Sequence, residues 1–242
     1  MIIKNKFKIL EFKIKNLYFS FFKNYKRNFS SLRILEKNFA ENSKFSFIQV
    51  GANDGVNFDY LYDFVLKRKS EGIVIEPVNE YYEELKKNYA DIKNIICVNK
   101  AVHPFEKEVN IYKIKNSVLY KYPDWVKGIA SLDKSHHQKS SITTDDIEVV
   151  KVLADSFQNI VEEYYLFKNL DYIQIDTEGF DYEVLKMINF NVFRPKMIKL
   201  ETVNLSNADF MQVKLLLKSN GYFIFHEFGD TVGINLNKII LS

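Results

Sequence analysis

Asp176, Glu178, Glu201 and His226 each stand at or just after the end of a short apolar run. A carboxylate or imidazole so placed can take the proton of a hydroxyl, the step that turns a poor nucleophile into a good one. His226 has the ordinary pKa best suited to a base near neutrality; the three carboxylates depend on their surroundings. Upstream, the turn Gly51-Ala-Asn-Asp-Gly55 follows the apolar run Phe45–Val50. Glycines at both ends allow a sharp bend and close approach of backbone to a ligand, and a helix starting there offers free N–H groups. Glu76 closes the run Gly72-Ile-Val-Ile, where a carboxylate can accept both hydroxyl hydrogens of a ribose.

Turn and acid together mark a nucleoside-containing ligand. A dinucleotide loop needs G-x-G-x-x-G, but Asn53 occupies the middle position and no third glycine follows; a G-x-x-x-x-G-K-[ST] phosphate loop is absent. S-adenosylmethionine, which has no phosphate to cradle, is the candidate that remains. Asp176 and Glu201 also offer oxygen ligands to a divalent cation, although no spacing here is specific to a metal. Adjacent residues rarely ligate one ion, so His136-His137 read as surface or lid residues. Tyr120, Tyr122 and Trp125, in the same polar stretch Lys113–Asp146, can stack on a sugar or base or pack the lid.

The elements that must position these residues alternate. Strands are expected at Phe45–Val50, Gly72–Glu76, Ile95–Val98, Ile147–Leu153, Tyr172–Asp176 and Met197–Glu201, with a closing hairpin of Tyr222–Phe228 and Val232–Leu241 across Gly229-Asp230. Helices are expected around Tyr60–Val65, over Tyr81–Tyr89, from an Asp155 or Ser156 cap through Phe167, and over 178–188 and 207–220, the last stopped by Gly221. Asp176 could cap the 178–188 helix, while Asp181 and Glu183 within it are expected to be solvated. This alternation predicts a parallel α/β sheet with helices on both faces and a crevice at the carboxyl ends of its strands.

Composition sets outer limits. The 242 residues are 47% hydrophobic and 27% charged, as in a soluble globular protein. The single cysteine, Cys97, can form no internal disulfide, which points to a reducing, cytoplasmic setting. Leu17–Phe22 is too short to cross a bilayer, and Lys13 and Lys15 interrupt any signal-peptide core. Charge is uneven. Residues 1–40 hold ten Lys/Arg against Glu11 and Glu36, whereas the rest holds 24 Lys/Arg against 29 Asp/Glu. The larger, acidic part argues against nucleic-acid binding. In the basic arm, taken as residues 1–42 ahead of a domain at 43–242, Phe7, Leu10, Ile14, Leu17, Phe21, Tyr25, Phe29 and Leu32 recur at helical spacing. Such a stripe packs on the domain, the reading preferred here, or lies on an anionic membrane or partner.

Phe47-Ile-Gln-Val-Gly-Ala-Asn-Asp-Gly55, Ile75-Glu-Pro77, Asn99-Lys-Ala-Val102, Ala130-Ser-Leu132, Tyr172-Ile-Gln-Ile-Asp-Thr-Glu-Gly179 and Lys199-Leu-Glu-Thr202 follow one another as in FkbM-type methyltransferases, which residues 45–242 resemble. The resemblance implies a class I methyltransferase fold, Rossmann-like, with a seven-stranded sheet whose last strand is antiparallel. It implies O-methylation by S-adenosylmethionine of a carbohydrate hydroxyl, such as that of a nucleotide-activated sugar or surface-polysaccharide precursor; a small-molecule or lipid-linked hydroxyl is the alternative. It also implies that Gly51, Asn53 and Gly55, with Ala52 and Asp54 in the same turn, hold the methionine moiety. Glu76, followed by Pro77, would take the ribose, Ala101 and Ser131 would flank the adenine, and Asp176 would face the transferable methyl. Where the family often has an acid, this chain has Gln49, which weakens the expected contact to the cofactor's amino-acid end. From another class, a nicotinamide-dependent reductase is opposed by the missing glycine.

Overall fold

A computed structural model of the chain describes residues 30–57, 59–164 and 169–240, together with Phe7, Leu10, Glu11, Lys13 and Ile14. Most elements expected from the sequence are present. The first strand, β1 (Lys44–Val50), leads through the Gly51–Gly55 turn to a short helix α2 (Leu61–Leu66); helix α1 (Ser31–Asn38) precedes it. Then come β2 (Lys69–Ile75), α3 (Asn79–Asn88) and β3 (Ile95–Val98). The second half holds α4 (Phe157–Tyr164), β8 (Tyr172–Ile175), α5 (Asp181–Met187), β9 (Met197–Glu201), α6 (Asn207–Ser219), β10 (Phe223–Glu227) and β11 (Asp230–Ile234). The end of the fourth expected helix, beyond residue 164, lies outside the described residues.

The seven strands of the main sheet run in the order β10-β11-β9-β8-β1-β2-β3. Neighbours from β9 through β3 are parallel, and β11 inserts antiparallel between β9 and β10. Both faces are covered, which is why the strands read as near-continuous apolar runs. Period two then sorts the residues. Ile48, Val50, Ile73, Ile75, Ile173, Ile175, Ile198 and Leu200 pack with α4, α5 and α6 on one side. Phe45, Phe47, Val74, Tyr172 and Met197 pack with α1, α2 and α3 on the other.

A second sheet interrupts the main one, in the order β4-β7-β5-β6, built from β4 (Ala101–Val102), β5 (Glu108–Ile114), β6 (Ala130–Ser131) and β7 (Ile147–Asp155). Only β7 was foreseen. In β5 the apolar Val109 and Ile111 alternate with polar residues only briefly before Tyr112 breaks the phase, and β7 supplies its partner from 33 to 45 positions away. Between β5 and β7 the polar stretch folds into four 3₁₀ turns. They enclose Ile114, Val126, Ile129 and Ile142 in a small core of their own.

Three expectations are corrected by the structure. His136 and His137 are buried, 2% and 4% exposed, rather than held at the surface: His136 meets Glu178 in the loop after β8, and His137 meets the Thr144 hydroxyl within its own stretch. Asp181 is fully buried, not solvated: its carboxylate turns back to the N–H groups of Thr177 and Gly179 at the head of α5. That helix starts at Asp181 instead of 178, with Phe180 at its N-cap position, so Asp176 is not its cap. In the basic arm, Ile34, Leu35 and Phe39 join the core under α1, while the apolar side chains of Phe7, Leu10 and Ile14 are 71%, 54% and 57% exposed.

Candidate active site

The chain runs outward from β1 to β3 and returns to β8 on the other side of β1, so strand order reverses between β1 and β8. A cavity of about 340 Å³ opens there, at the carboxyl ends of the strands. Its floor is set by a close approach. Gly51 has φ +76°, and a Cβ on it would stand 1.7 Å from the carbonyl oxygen of Asp176, so no other residue fits without moving β8. Gly51 N–H donates to the Ile75 carbonyl at 2.9 Å and Asp176 N–H to the Val50 carbonyl at 2.9 Å, tying turn, β2 and β8 together.

Gly51, Ala52, Asn53, Glu76, Pro77, Ala101, Asp176 and Glu178 line the cavity. Asp54, Gly55, Ser131, Glu201 and His226 do not contribute to its wall. Asp54 shapes the turn instead, accepting from the N–H groups of Val56 (2.9 Å) and Asn57 (2.8 Å). At Gly55 a Cβ would meet Leu85 at 2.6 Å and Tyr89 at 2.7 Å, so this glycine serves packing under the turn. Ser131 spends its hydroxyl on the Glu178 carbonyl at 2.7 Å. The placement of His226 corrects its expected position on the crevice. Because β11 lies between β9 and β10, His226 is carried to the sheet edge, where it pairs with the Thr231 hydroxyl at 3.1 Å and packs on Phe210. Burial and Lys214 push its pKa below the ordinary value.

Glu76, 4% exposed, receives the N–H of Asn53 on one oxygen and that of Val78 on the other, each at 2.9 Å. Burial raises its carboxyl to about 7 in spite of these bonds. Each oxygen retains a lone pair for a ligand hydroxyl.

Asp176, Glu178 and Glu201 place carboxylate oxygens within 4.8 Å of one another. Glu178 adopts the left-handed conformation, φ +52°, which swings its side chain toward Asp176. The Asn204 amide donates to Glu178 at 3.0 Å and to Glu201 at 2.9 Å, and the Nε2 of His136 lies 2.9 Å from the same Glu178 oxygen. Asp176 is exposed where it opens onto the cavity; desolvation within the cleft, then the nearby Glu201, raises its carboxyl above the usual range. Burial, then Glu178, raises Glu201 to about 8. Such a cluster shares protons near neutrality, and its oxygens are also close enough together to surround one hard divalent cation.

Beside this cluster, one step back along β8 and β9, lies a polar group that the sequence reading did not anticipate. Asp59 accepts from Gln49 Nε2 at 2.8 Å and Gln174 Nε2 at 2.6 Å, and from the Leu61 N–H at 2.9 Å. Lys199 pairs with Asp230 at 2.9 Å beside the Tyr60 ring. A signal for part of it existed: Gln49, Gln174 and Lys199 are the polar members of three apolar strands, and pairing puts them in one row.

The cavity's charge discriminates between ligands. Five of its lining residues are acids (Asp59, Glu76, Asp176, Glu178, Asp230) and two are lysines. Lys199 is on Asp230, and Lys100 is on Glu163 at 3.0 Å and Asp155 at 3.7 Å. Both lining lysines are thus already paired, which leaves no unpaired lysine among the lining residues to hold a dinucleotide's pyrophosphate inside the cavity.

Sheet order, inserted antiparallel strand and cavity define a protein of the class I methyltransferase type. The sequence matches the methyltransferase FkbM domain over residues 49–224, and the chain belongs to that family. Comparison with curated proteins gave no match. Among solved structures, the methyltransferase FkbM of Methylobacillus flagellatus KT is 13% identical with a TM-score of 0.48, covering 79% of this chain and 44% of its own. The fibrillarin pre-rRNA processing protein of Methanococcus jannaschii is 15% identical with a TM-score of 0.40, covering 79% and 66%. TrmK of M. capricolum, in complex with S-adenosylhomocysteine, is 13% identical with a TM-score of 0.37, covering 85% and 67%. Family membership displaces the reductase alternative.

Proposed function

We propose that this methyltransferase uses S-adenosylmethionine to methylate a carbohydrate hydroxyl, as on a nucleotide-activated sugar or surface-polysaccharide precursor. The cofactor fits the residues present: Glu76 offers two acceptor oxygens to a ribose, and the acid-rich wall favours a ligand bearing positive charge. When bound, the cofactor would supply an electrophilic methyl group on a sulfonium.

The observation that carries the choice of acceptor is the cluster Asp176, Glu178 and Glu201. A hydroxyl must lose its proton as it attacks, and carboxylates whose pKa is lifted toward neutrality are suited to receive it. Asp176, which lines the cavity, is the oxygen in position to take that proton, and Glu201 behind it adjusts its basicity. Glu178, fixed by Asn204 and His136, orients the pair. An anionic acceptor group would be repelled here; an uncharged sugar ring would not. Trp125, half exposed on the cavity wall, supplies an apolar face for such a ring.

A lipid-linked hydroxyl is the second acceptor supported by a specific observation, the exposed Phe7, Leu10 and Ile14 in the basic arm. On that reading the arm holds the enzyme at an anionic membrane surface. No described helix is long and apolar enough to cross a membrane. Incubating the protein with methyl-labelled cofactor and panels of nucleotide sugars and polyprenyl-linked sugars, followed by mass spectrometry, tests both. Labelled methyl ether in either panel supports the corresponding acceptor; label confined to amines, carboxylates or nothing rejects O-methylation of sugars.

A further inference from the structure

We propose that Asp59 is the residue that receives the ammonium of the cofactor's amino-acid end, doing from the loop after the glycine turn what Gln49 cannot do from the strand. The inference rests on the cofactor reading above and adds to it the recognition of one functional group.

Four observations carry it. First, Asp59 lines the same cavity as Gly51 and Asp176, so its carboxylate and the turn face one ligand. Second, its bonded partners are all neutral: the amides of Gln49 and Gln174 and the Leu61 N–H. No ion pair to it exists among the described residues, and the nearby Lys199 is on Asp230. Burial raises this carboxyl above its ordinary range, with the Leu61 N–H, Lys199 at a distance and Gln174 acting the other way, so a cation in direct contact is the group that would complete it. Third, Gln49, 2% exposed, has its Nε2 turned to Asp59 and leaves its Oε1 without a hydrogen-bond partner. A buried carbonyl oxygen lacking a donor is costly, so this wall is one donor short. Fourth, the in-register row of Gln49, Gln174 and Lys199 lays a polar strip under Asp59 on otherwise apolar strands. Nothing in packing requires polar residues in that row. A zwitterionic ligand end does, since it brings an ammonium for Asp59 and a carboxylate that tolerates Lys199.

The test needs no methyl acceptor. Isothermal titration would compare three ligands on the full chain: S-adenosylhomocysteine, its α-keto analogue lacking only the ammonium, and 5′-methylthioadenosine lacking the whole amino-acid end. On the wild type, the α-keto analogue should bind about tenfold or more weakly than S-adenosylhomocysteine, close to 5′-methylthioadenosine. Asp59→Asn should abolish that advantage and leave 5′-methylthioadenosine affinity within about twofold, because the side-chain Oδ1 that receives the Leu61 N–H is kept. The double variant Asp59→Asn with Gln49→Glu, which returns a carboxylate to the strand position, should recover most of it. Equal wild-type affinity for S-adenosylhomocysteine and its α-keto analogue would overturn the proposal even if the variants misfold. So would equal losses for all three ligands in a folded Asp59→Asn. If no adenosine ligand binds the wild type at all, it is the cofactor reading that fails instead.

Discussion

Gly51 and Asp176 touch through backbone alone: where a Cβ would stand on the first, the carbonyl oxygen of the second already lies 1.7 Å away. The turn that lines one side of the cavity and the strand end that carries the candidate base are therefore one rigid unit. Gly51→Ala cannot be absorbed by a side-chain movement, because the obstacle is main chain, and the φ of +76° adds its own strain. The variant should lose more than about 2 kcal/mol of stability and at least tenfold in S-adenosylhomocysteine affinity. Denaturant melts and titration calorimetry check both; a variant binding as tightly as wild type would show that turn and strand end are independent.

The carboxylate cluster makes a different prediction, one that separates binding from turnover. Asp176→Asn should lower kcat by about 10²–10⁴, the usual worth of a general base, with S-adenosylhomocysteine affinity little changed. Glu201→Gln should cost less and shift the pH profile. Glu201 sits at about 8 and Asp176 is raised by it, so kcat/KM of the wild type should climb from pH 6.5 to 9 as protons leave the cluster. With Glu201 neutral, the rise should move to lower pH. A flat profile between those limits would remove the cluster from the proton-transfer step.

Strand ends and the glycine turn were legible because parallel strands buried on both faces give unbroken apolar runs, and because ligand loops follow those runs. Asp176, Glu178 and Glu76 could be found by that rule. It failed for His226, since only the insertion of β11 beside β9 decides that β10 is an edge, and strand order is not written in local pattern. His136 and Asp181 were misjudged for a related reason. Each is polar in a polar stretch, and each is buried by a contact with the 176–179 loop that only the folded chain creates. Asp59 sits where no periodic element marks it. Its neighbours Gln174 and Lys199, breaking apolar strands at matching positions, were readable and went unread.

Two fully enclosed acids, Glu76 and Asp181, add to the carboxylate cluster in making the ligand-free fold sensitive to pH. Glu76 and Asp181 are each raised to about 7, from ordinary values of 4.5 and 3.8, burial being the leading cause in both. The folded state thus holds their protons more tightly than the unfolded chain. Their stabilising contribution is complete below about pH 4 and is lost as pH rises through 7. The apo protein should melt several degrees lower at pH 7.5 than at pH 5, by differential scanning fluorimetry. Glu76→Gln, which cannot ionise, should show a shallower decline. A melting temperature that rises over this interval would mean that other groups dominate.

The part of the basic arm described from Ser30 onward packs into the domain. Ile34 and Leu35 on α1 and Phe39 at its end are buried in the core that α2 and α3 share. The Ser31 N–H and hydroxyl both donate to the Glu227 carboxylate, and the same hydroxyl is 2.8 Å from that of Tyr60. Arg68 spends two guanidinium donors on the Phe39 carbonyl. Removing residues 1–29 spares all of this and should leave melting temperature and cofactor affinity close to wild type. Removing residues 1–40 exposes the faces that Ile34, Leu35 and Phe39 cover, each worth about 1.5–3 kcal/mol. A domain of ordinary stability, about 5–15 kcal/mol, would then be near its limit and should melt far lower or not fold. The shorter truncation also tests the proposed membrane contact: if the arm makes it, flotation on vesicles with anionic lipid should capture the full chain, fade in high salt and fail for the protein lacking residues 1–29. Unfolding of that shorter truncation would place the exposed apolar residues in the core after all, and binding that survives it would move the lipid contact elsewhere.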